Sequence, residues 1–491
     1  MNAELRPELC IIGGGPGGVS LALGAAAHGL SVVLAEKSAL GGRKLAGTLP
    51  FHALLAIARQ AGARGEACKP DFARVKQHAA QLAKAIGPNY APERLAAMNV
   101  TVLQGAARFT SPETCDVSGR TVRAHRFVVA TGAEERRPAI PGLELVRPVH
   151  CADLCTMGFP PPHLIILGPG FHGLALAQAM RRLGSSVTVL AGSELFAGED
   201  PELVLPVRAA FAREGLALHE NVRIARIEPA GDGVKVFLGA GGREKPVKGS
   251  HLYLAAESSP AVAGLGLEAA RVRYNERGIE TDACLATSNP RIYAIGAAVS
   301  GTQPASGAAG HHAALILRTI LGLPGGQRHR HGEPRVIPVM PPIAVTGLSE
   351  TEAKAACREI LVLRWPLAET ERARIENELP GHVKLITDRA GKILGAGAVG
   401  QRAEELISLL TLAIWKNMTV SEIGSIMIPY PALAEAAQKA AWTALEVKPD
   451  APPGAAAWRR AIGTGFPGLL RTRARSFRES LRSRLRRIMG P

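Results

Sequence analysis

Short apolar runs alternate with glycine clusters and amphipathic stretches along this chain, and one such series occurs twice in the same order. Leu9 to Ile12 is wholly apolar, Gly13-Gly-Gly15-Pro-Gly-Gly18 follows, and Val19 to His28 has helical spacing. Ser31 to Glu36 is a second apolar run that ends on an acid. Later, Leu164 to Leu167 leads into Gly168-Pro-Gly170-Phe-His-Gly173, a helical stretch through Leu183, and another run at Ser186 to Leu190. Apolar runs bounded by glycine read as buried strands, and their alternation with helices predicts an α/β fold. Both passages spell strand, G-x-G-x-x-G, helix, strand, the pattern of a dinucleotide-binding unit. In the first, Gly13 makes the tight turn, Gly15 admits a pyrophosphate at the helix N-terminus, and Gly18 lets helix and strand pack closely. Glu36 stands eighteen residues beyond Gly18, placed to accept hydrogen bonds from an adenosine ribose. In the second, Gly168, Gly170 and Gly173 take the same roles, but the ribose acid is absent or displaced to Glu194. No Arg is evident there to hold a 2′-phosphate, which favours NAD(H) over NADP(H). Two such units, about 155 residues apart, point to an oxidoreductase with two nucleotide cofactors. The competing expectation is a second unit that is structural and empty.

Composition narrows the class. Hydrophobic residues make up 47% of 491, enough for full cores, and the length suggests about three or four domains. Aromatics at 4% argue against base-stacking platforms, so no specific nucleic-acid binding is expected. Seven cysteines with no CxxC exclude a disulfide scaffold and a thiolate zinc site, and no metal is expected. Their closest pair, Cys151 and Cys155, reads as two ordinary half-buried thiols on a helix. No run reaches the roughly 18 apolar residues of a membrane span, and Met1 to Pro7 does not open a cleavable leader. The expected location is the cytoplasm, soluble or peripheral to a membrane.

Charge is uneven. The net charge is +16, and residues 451–491 contribute +9 of it through ten Arg against Glu479. A Pro-rich joint, Lys448 to Gly454, sets this tail apart. Within it Leu470, Ala474, Phe477, Leu481, Leu485 and Ile488 share one helical face, with Arg on the others. Such a helix suits an anionic membrane surface or an acidic partner, or docks on its own protein with its basic face solvated. His329 and His331 are flanked by Arg and read as a solvated linker rather than metal ligands.

Several stretches resemble the flavin-dependent pyridine nucleotide–disulfide oxidoreductases, the class I family that includes dihydrolipoamide dehydrogenase, mercuric reductase and soluble transhydrogenase. They are Gly105-Ala-Ala107-Arg-Phe109, Val128-Val-Ala-Thr131-Gly132, Leu254 to Pro260, Thr287 to Gly296, Ile337-Pro338 with Gly347 to Ala353, Gly381 to Ile386 and Ile393 to Gly400. The resemblance covers nearly everything but the tail. It implies two Rossmann-like dinucleotide-binding domains plus an α+β C-terminal dimerisation domain, FAD and NAD(H) or NADP(H) as cofactors, and a homodimer. The implied order is an FAD-binding part over 1–150, an NAD(P)-binding part over 151–285, an FAD return segment over 286–335, a dimerisation domain over 336–447, and the tail over 448–491.

The chain departs from the family where the family's chemistry resides. Aligned on Gly42 and Pro50, Lys44 and Thr48 stand where a redox cysteine pair is expected, and His52 replaces a lysine near the flavin. Ala175 replaces that lysine's glutamate partner, so both members of an ion pair are lost together. Tyr430 takes the place of the family's histidine base, and Glu435 that of its supporting acid, with a hydrogen bond between them expected. Ala297 replaces an aspartate that contacts the flavin's ribityl region, which costs about 0.5–1.5 kcal/mol if one hydrogen bond is lost.

Three readings follow. The first is a flavoenzyme passing hydride from NAD(P)H through FAD to a non-thiol acceptor, with Lys44 placed to stabilise negative charge on the reduced flavin. The second is a degenerate relative that binds rather than catalyses, the basic tail being its working part. In the third, Cys151, Cys155 or Cys284 sustains thiol chemistry. The pair His311-His312 lies in or just before the helix after Gly296, close to the expected flavin.

Overall fold

The computed structural model describes residues 4–63, 72–239, 244–255, 258–302, 307–328 and 332–447. The basic tail, His329 and His331 lie outside the described residues.

Three sheets organise the chain. The first has five parallel strands in the order Ile292–Ala294, Arg126–Val129, Leu9–Ile12, Val32–Glu36, Val100–Gln104. Leu9–Ile12 is buried at every position, which explains its continuous apolar character. Its partner Ile292–Ala294 comes from far along the chain, so a return segment completes the first sheet. The helix Pro16–Ala27 packs on the helix Ala308–Ile320, and a Cβ at Gly17 would sit 2.9 Å from the Ala309 carbonyl oxygen.

The second sheet is also parallel, in the order Ala217–His219, Ser186–Leu190, His163–Leu167, His251–Leu254. Ile165, Leu167, Leu190 and Leu252 from this sheet share a core with Ile227, Val234 and Val236 of an antiparallel three-stranded layer. A two-stranded ribbon, Ala133–Glu135 against Ser258–Pro260, joins the first unit to the second.

The third sheet has five antiparallel strands in the order Arg335–Ile337, Ile343–Gly347, Ile393–Val399, His382–Asp388, Ile360–Pro366. The helices Ala403–Trp415 and Glu435–Val447 pack against it. The fold is thus α/β, two Rossmann-like units plus an α+β unit. The third unit exposes several large apolar side chains, with Met427 98%, Tyr430 72% and Ile375 68% accessible in the single chain.

Charged side chains lock the third unit to the second. Asp200 caps the helix Pro201–Arg213 by accepting from Glu202 N at 2.9 Å, and its other oxygen meets Lys384 Nζ at 2.5 Å. The same ammonium lies 2.8 Å from Glu350 and 3.6 Å from Glu202. Arg364 grips Glu202 with two nitrogens, at 2.5 and 2.7 Å. Lys384 is only 2% accessible, so these carboxylates are what keep its charge inside. Among the described residues no helix is long and apolar enough to cross a membrane.

Candidate active site

The first glycine loop leaves open space at the start of a helix. Gly13 has φ +114°, and a Cβ there would lie 2.5 Å from the Ala130 carbonyl oxygen. Gly18 is tighter still, with its absent Cβ 1.9 Å from Gly13 O. By contrast, nothing lies within 4 Å of a Cβ built on Gly15. The helix Pro16–Ala27 begins there with no acidic residue in its first turn, so its free N–H groups face that space with unopposed positive polarity. Glu36 ends the second strand, buried, and accepts from Gly14 N at 2.6 Å and from Ser38 N and Oγ at 2.7 and 2.8 Å. Ala107 is buried in the strand Ala107–Ser111. Thr131 and Gly132 (φ +72°) form the turn beside the glycine loop, and the buried Thr131 Oγ1 has no partner among the described residues. An orphaned hydroxyl beside an open helix N-terminus fits a phosphate-bearing cofactor. Gly296 (φ +65°) and the half-buried Ala297 open a short turn, Gly296–Ala298, near the same helix.

In the second loop the space is filled differently. Absent Cβ atoms at Gly168 and Gly170 face the Ala255 carbonyl oxygen at 2.6 and 3.0 Å, and that of Gly173 faces Ala255 Cβ at 2.3 Å. These glycines let loop, helix and strand close onto Ala255, while Gly170 still caps the helix Phe171–Arg182, whose first turn lacks acids. Glu194 is exposed beyond the strand Ser186–Leu190. An Arg does lie near it, contrary to the sequence reading: Arg208 Nη2 is 3.9 Å from Glu194. Its guanidinium is already engaged by Glu220 at 2.7 Å and Leu195 O at 2.9 Å. Their separation of fourteen positions hid this neighbour from a linear reading.

Between the two loops lies the segment that departs from the family. Lys44–Thr48 forms one π-helical turn that runs into the helix Leu49–Ala63, with Lys44 and Thr48 half-buried. Such turns occur often at functional sites. No cysteine falls between Cys10 and Cys68. Phe51 packs against two imidazoles, edge-on to His52 at 5.4 Å and tilted to His172 at 5.1 Å between ring centroids. Burial pushes both histidines down, helped at His52 by Arg59 and Lys44 and at His172 by His52 and Arg43. Both shifts favour neutral rings, at a place where the sequence had lost both members of an ion pair, and Ala175 is fully buried. His172 went unnoticed in the sequence; its signal was a ring inside a G-x-G-x-x-G, where small or apolar residues suffice. Arg43 reaches across to the inter-unit ribbon, 3.3 Å from Ala133 O and 3.4 Å from Glu135.

Among the described residues, the two cysteines beside this segment, Cys151 and Cys155, are buried rather than half-buried. Cys155 donates to Pro50 O at 3.3 Å, and Cys151 to Tyr253 Oη at 3.7 Å. Burial pushes Cys151 up to about 11 and Cys155 up to about 12, so both remain thiols at neutral pH and poor nucleophiles. Cys284 is half-buried in a loop where its N–H donates to Asp282 at 2.8 Å.

Tyr430 corrects an expectation. It is exposed in the single chain and its hydroxyl donates to Glu371, not to Glu435. That carboxylate raises the phenol's pKa, the wrong direction for a base. Glu435 instead starts the helix Glu435–Val447, accepting from Ala432 N at 3.2 Å and pairing with Lys439 at 3.4 Å. Glu371 lies 59 residues before Tyr430, so only the folded third unit reveals the pairing.

Comparison with known proteins agrees with this architecture. Residues 7–314 match the model of the pyridine nucleotide-disulphide oxidoreductases, and residues 333–441 match that family's dimerisation domain. Mercuric reductase of Streptomyces lividans is 31% identical over 463 residues, 90% of this chain and 97% of the relative. Dihydrolipoyl dehydrogenase of Thermus scotoductus is 32% identical over 460 residues, 88% and 96% of the two chains. Among solved structures, LpdA from Mycobacterium tuberculosis superposes with a TM-score of 0.79 at 26% identity, covering 90% of this chain and 99% of that one. The HOCl-induced flavoprotein disulfide reductase RclA from Escherichia coli, as its Cu(II) complex, gives 0.78 at 25% identity, covering 89% and 99%. The chain belongs to the pyridine nucleotide-disulphide oxidoreductase family, class I. That family uses FAD and NAD(P)H, and the dimerisation domain supports a homodimer.

Proposed function

We propose that this chain is an FAD-dependent NAD(P)H oxidoreductase that sends electrons from the flavin to a non-thiol acceptor, without a redox disulfide. The observation that carries this reading is the turn Lys44–Thr48: it opens the helix Leu49–Ala63 with no sulfur in it, and among the described residues the thiols beside it, Cys151 and Cys155, are buried and protonated. Bound FAD would supply the hydride-accepting and electron-relaying chemistry between NAD(P)H and the acceptor. Gly13, Gly15, Gly18 and Glu36 hold its adenosine and pyrophosphate parts in this reading, with Thr131, Gly132, Ala107 and Gly296 around them. Gly168, Gly170 and Gly173 admit the nicotinamide cofactor. Arg208, the arginine beside Glu194, is already paired with Glu220, which supports NAD(H) over NADP(H). Hydride transfer needs positioning rather than a protein acid or base, so loss of the histidine base does not forbid it. Lys44 and Arg43 give the segment between the loops positive charge, which favours an anionic reduced cofactor. The domain limits proposed from the sequence remain the working division of the chain.

The Cys151→Ser/Cys155→Ser double variant tests the reading. It is expected to keep NADH-driven reduction of a quinone or ferricyanide at the parent's rate, with no dihydrolipoamide turnover in either protein. Loss of turnover in a folded, FAD-loaded double variant would show that a thiol carries the electrons.

A further inference from the structure

The Gly296 turn is held by a histidine that no glycine motif announces. Gly296 N donates to His312 Nδ1 at 3.1 Å in the protein interior. A peptide N–H only donates, so Nδ1 carries no proton in this arrangement, and Nε2–H faces Glu333 Oε1 at 3.3 Å. Both oxygens of Glu333 are gripped by Arg328, whose Nη2 also donates to Thr302 Oγ1 at 2.9 Å. His312 is fully buried and Arg328 is 8% accessible. Burial works against the Glu333 anion, but His312 and Arg328 hold its carboxyl at about 2. The result is one buried chain of partners, Gly296, His312, Glu333, Arg328 and Thr302. It fixes a backbone turn whose next side chain, Ala297, offers a cofactor no polar atom. The turn is confined on its other side as well, since a Cβ at Gly296 would lie 3.0 Å from Ala309 Cβ.

We propose that His312 is a positioning residue for FAD: its ring, oriented by Glu333 and Arg328, holds the Gly296 turn against the cofactor. The proposal rests on FAD occupying the first nucleotide site. Taking the acceptor at Nδ1 away leaves the Gly296 N–H without that partner in the interior. Among the described residues, the ring faces Glu333, with Arg328 behind it, and His311 on the same helix at 6.2 Å between ring centroids. The helix Pro16–Ala27, packed on this one, carries no charged residue.

The test is the dissociation constant of FAD from the refilled apoprotein, read by flavin fluorescence. His312→Leu removes the acceptor at Nδ1 and is expected to weaken binding about tenfold, the effect of losing one buried hydrogen bond. His312→Asn keeps an acceptor oxygen where Nδ1 stood and is expected to bind FAD within about threefold of the parent. A His312→Leu protein with the parent's affinity, or a His312→Asn protein as weak as His312→Leu, would overturn the role of His312 while leaving FAD binding intact. Should His312→Leu not fold, the affinity of His312→Asn alone decides. A chain that takes up no FAD overturns both this inference and the reading beneath it.

Discussion

Gly18→Ala is expected to yield folded protein stripped of FAD. The added Cβ would lie 1.9 Å from Gly13 O, a contact between two backbone segments that no side-chain rotation relieves. The helix Pro16–Ala27 must then move off the strand Leu9–Ile12, taking its N-terminal N–H groups out of line with the pyrophosphate. Overpacking of this kind costs about 3 kcal/mol, which corresponds to roughly a hundredfold in affinity. Flavin content of the purified variant, followed by titration of its apoprotein with FAD, measures the effect. Circular dichroism separates lost binding from lost fold. A yellow Gly18→Ala protein with the parent's affinity would mean that the first loop does not cradle the cofactor.

The second large effect concerns assembly of the units. Lys384→Met removes a buried ammonium held by Asp200, Glu202 and Glu350, and leaves their charges facing one another. Breaking a buried ionic cluster from one side costs about 3–5 kcal/mol. The first thermal transition should fall by many degrees, and protease should cleave near the junction of the second and third units. The penalty should depend on pH. Despite the opposing effect of burial, Lys354 and Lys384 hold Glu350 at about 2, and Arg364 and Lys384 lower Glu202. Carboxylates depressed in the folded state stabilise fully above their unfolded pKa, about 4.3, and lose that contribution as pH falls towards 2. Burial likewise pushes His382 in this cluster down to about 4, so its contribution fades as pH falls from its ordinary 6.5 towards that value. The parent therefore weakens progressively in acid, and the gap between parent and Lys384→Met narrows below about pH 4. A constant gap across that range would show that the cluster works through packing alone.

Local signals carried the glycine loops. Leu9–Ile12 and Gly13 to Gly18 are contiguous, and their spacing alone implies strand, turn and helix, so backbone geometry followed from sequence. The catalytic surroundings were legible only as departures: Lys44, Thr48, His52 and Ala297 could be named but not placed. What escaped was pairing across long stretches of chain. Lys384 meets Asp200 across 184 residues, and Tyr430 chooses Glu371 rather than the nearer Glu435 because the third unit's fold sets which carboxylate its ring reaches. His172 and His312 were hidden for a related reason. A histidine on a helix face looks the same in sequence whether it packs, binds or orients a neighbour. Only Phe51 beside one ring and Gly296 beside the other reveal the difference.

The central claim is that electrons leave this chain's flavin without passing through a protein disulfide. Anaerobic titration of the FAD-loaded protein with NADH, followed by visible absorbance, tests it most directly. A redox disulfide beside the flavin would store a further electron pair, because thiol–disulfide interconversion is a two-electron couple. The account predicts that one equivalent of NADH per flavin bleaches the absorbance completely, with no change after prior alkylation of the protein. A requirement for two equivalents, falling to one after reduction and alkylation, would contradict it.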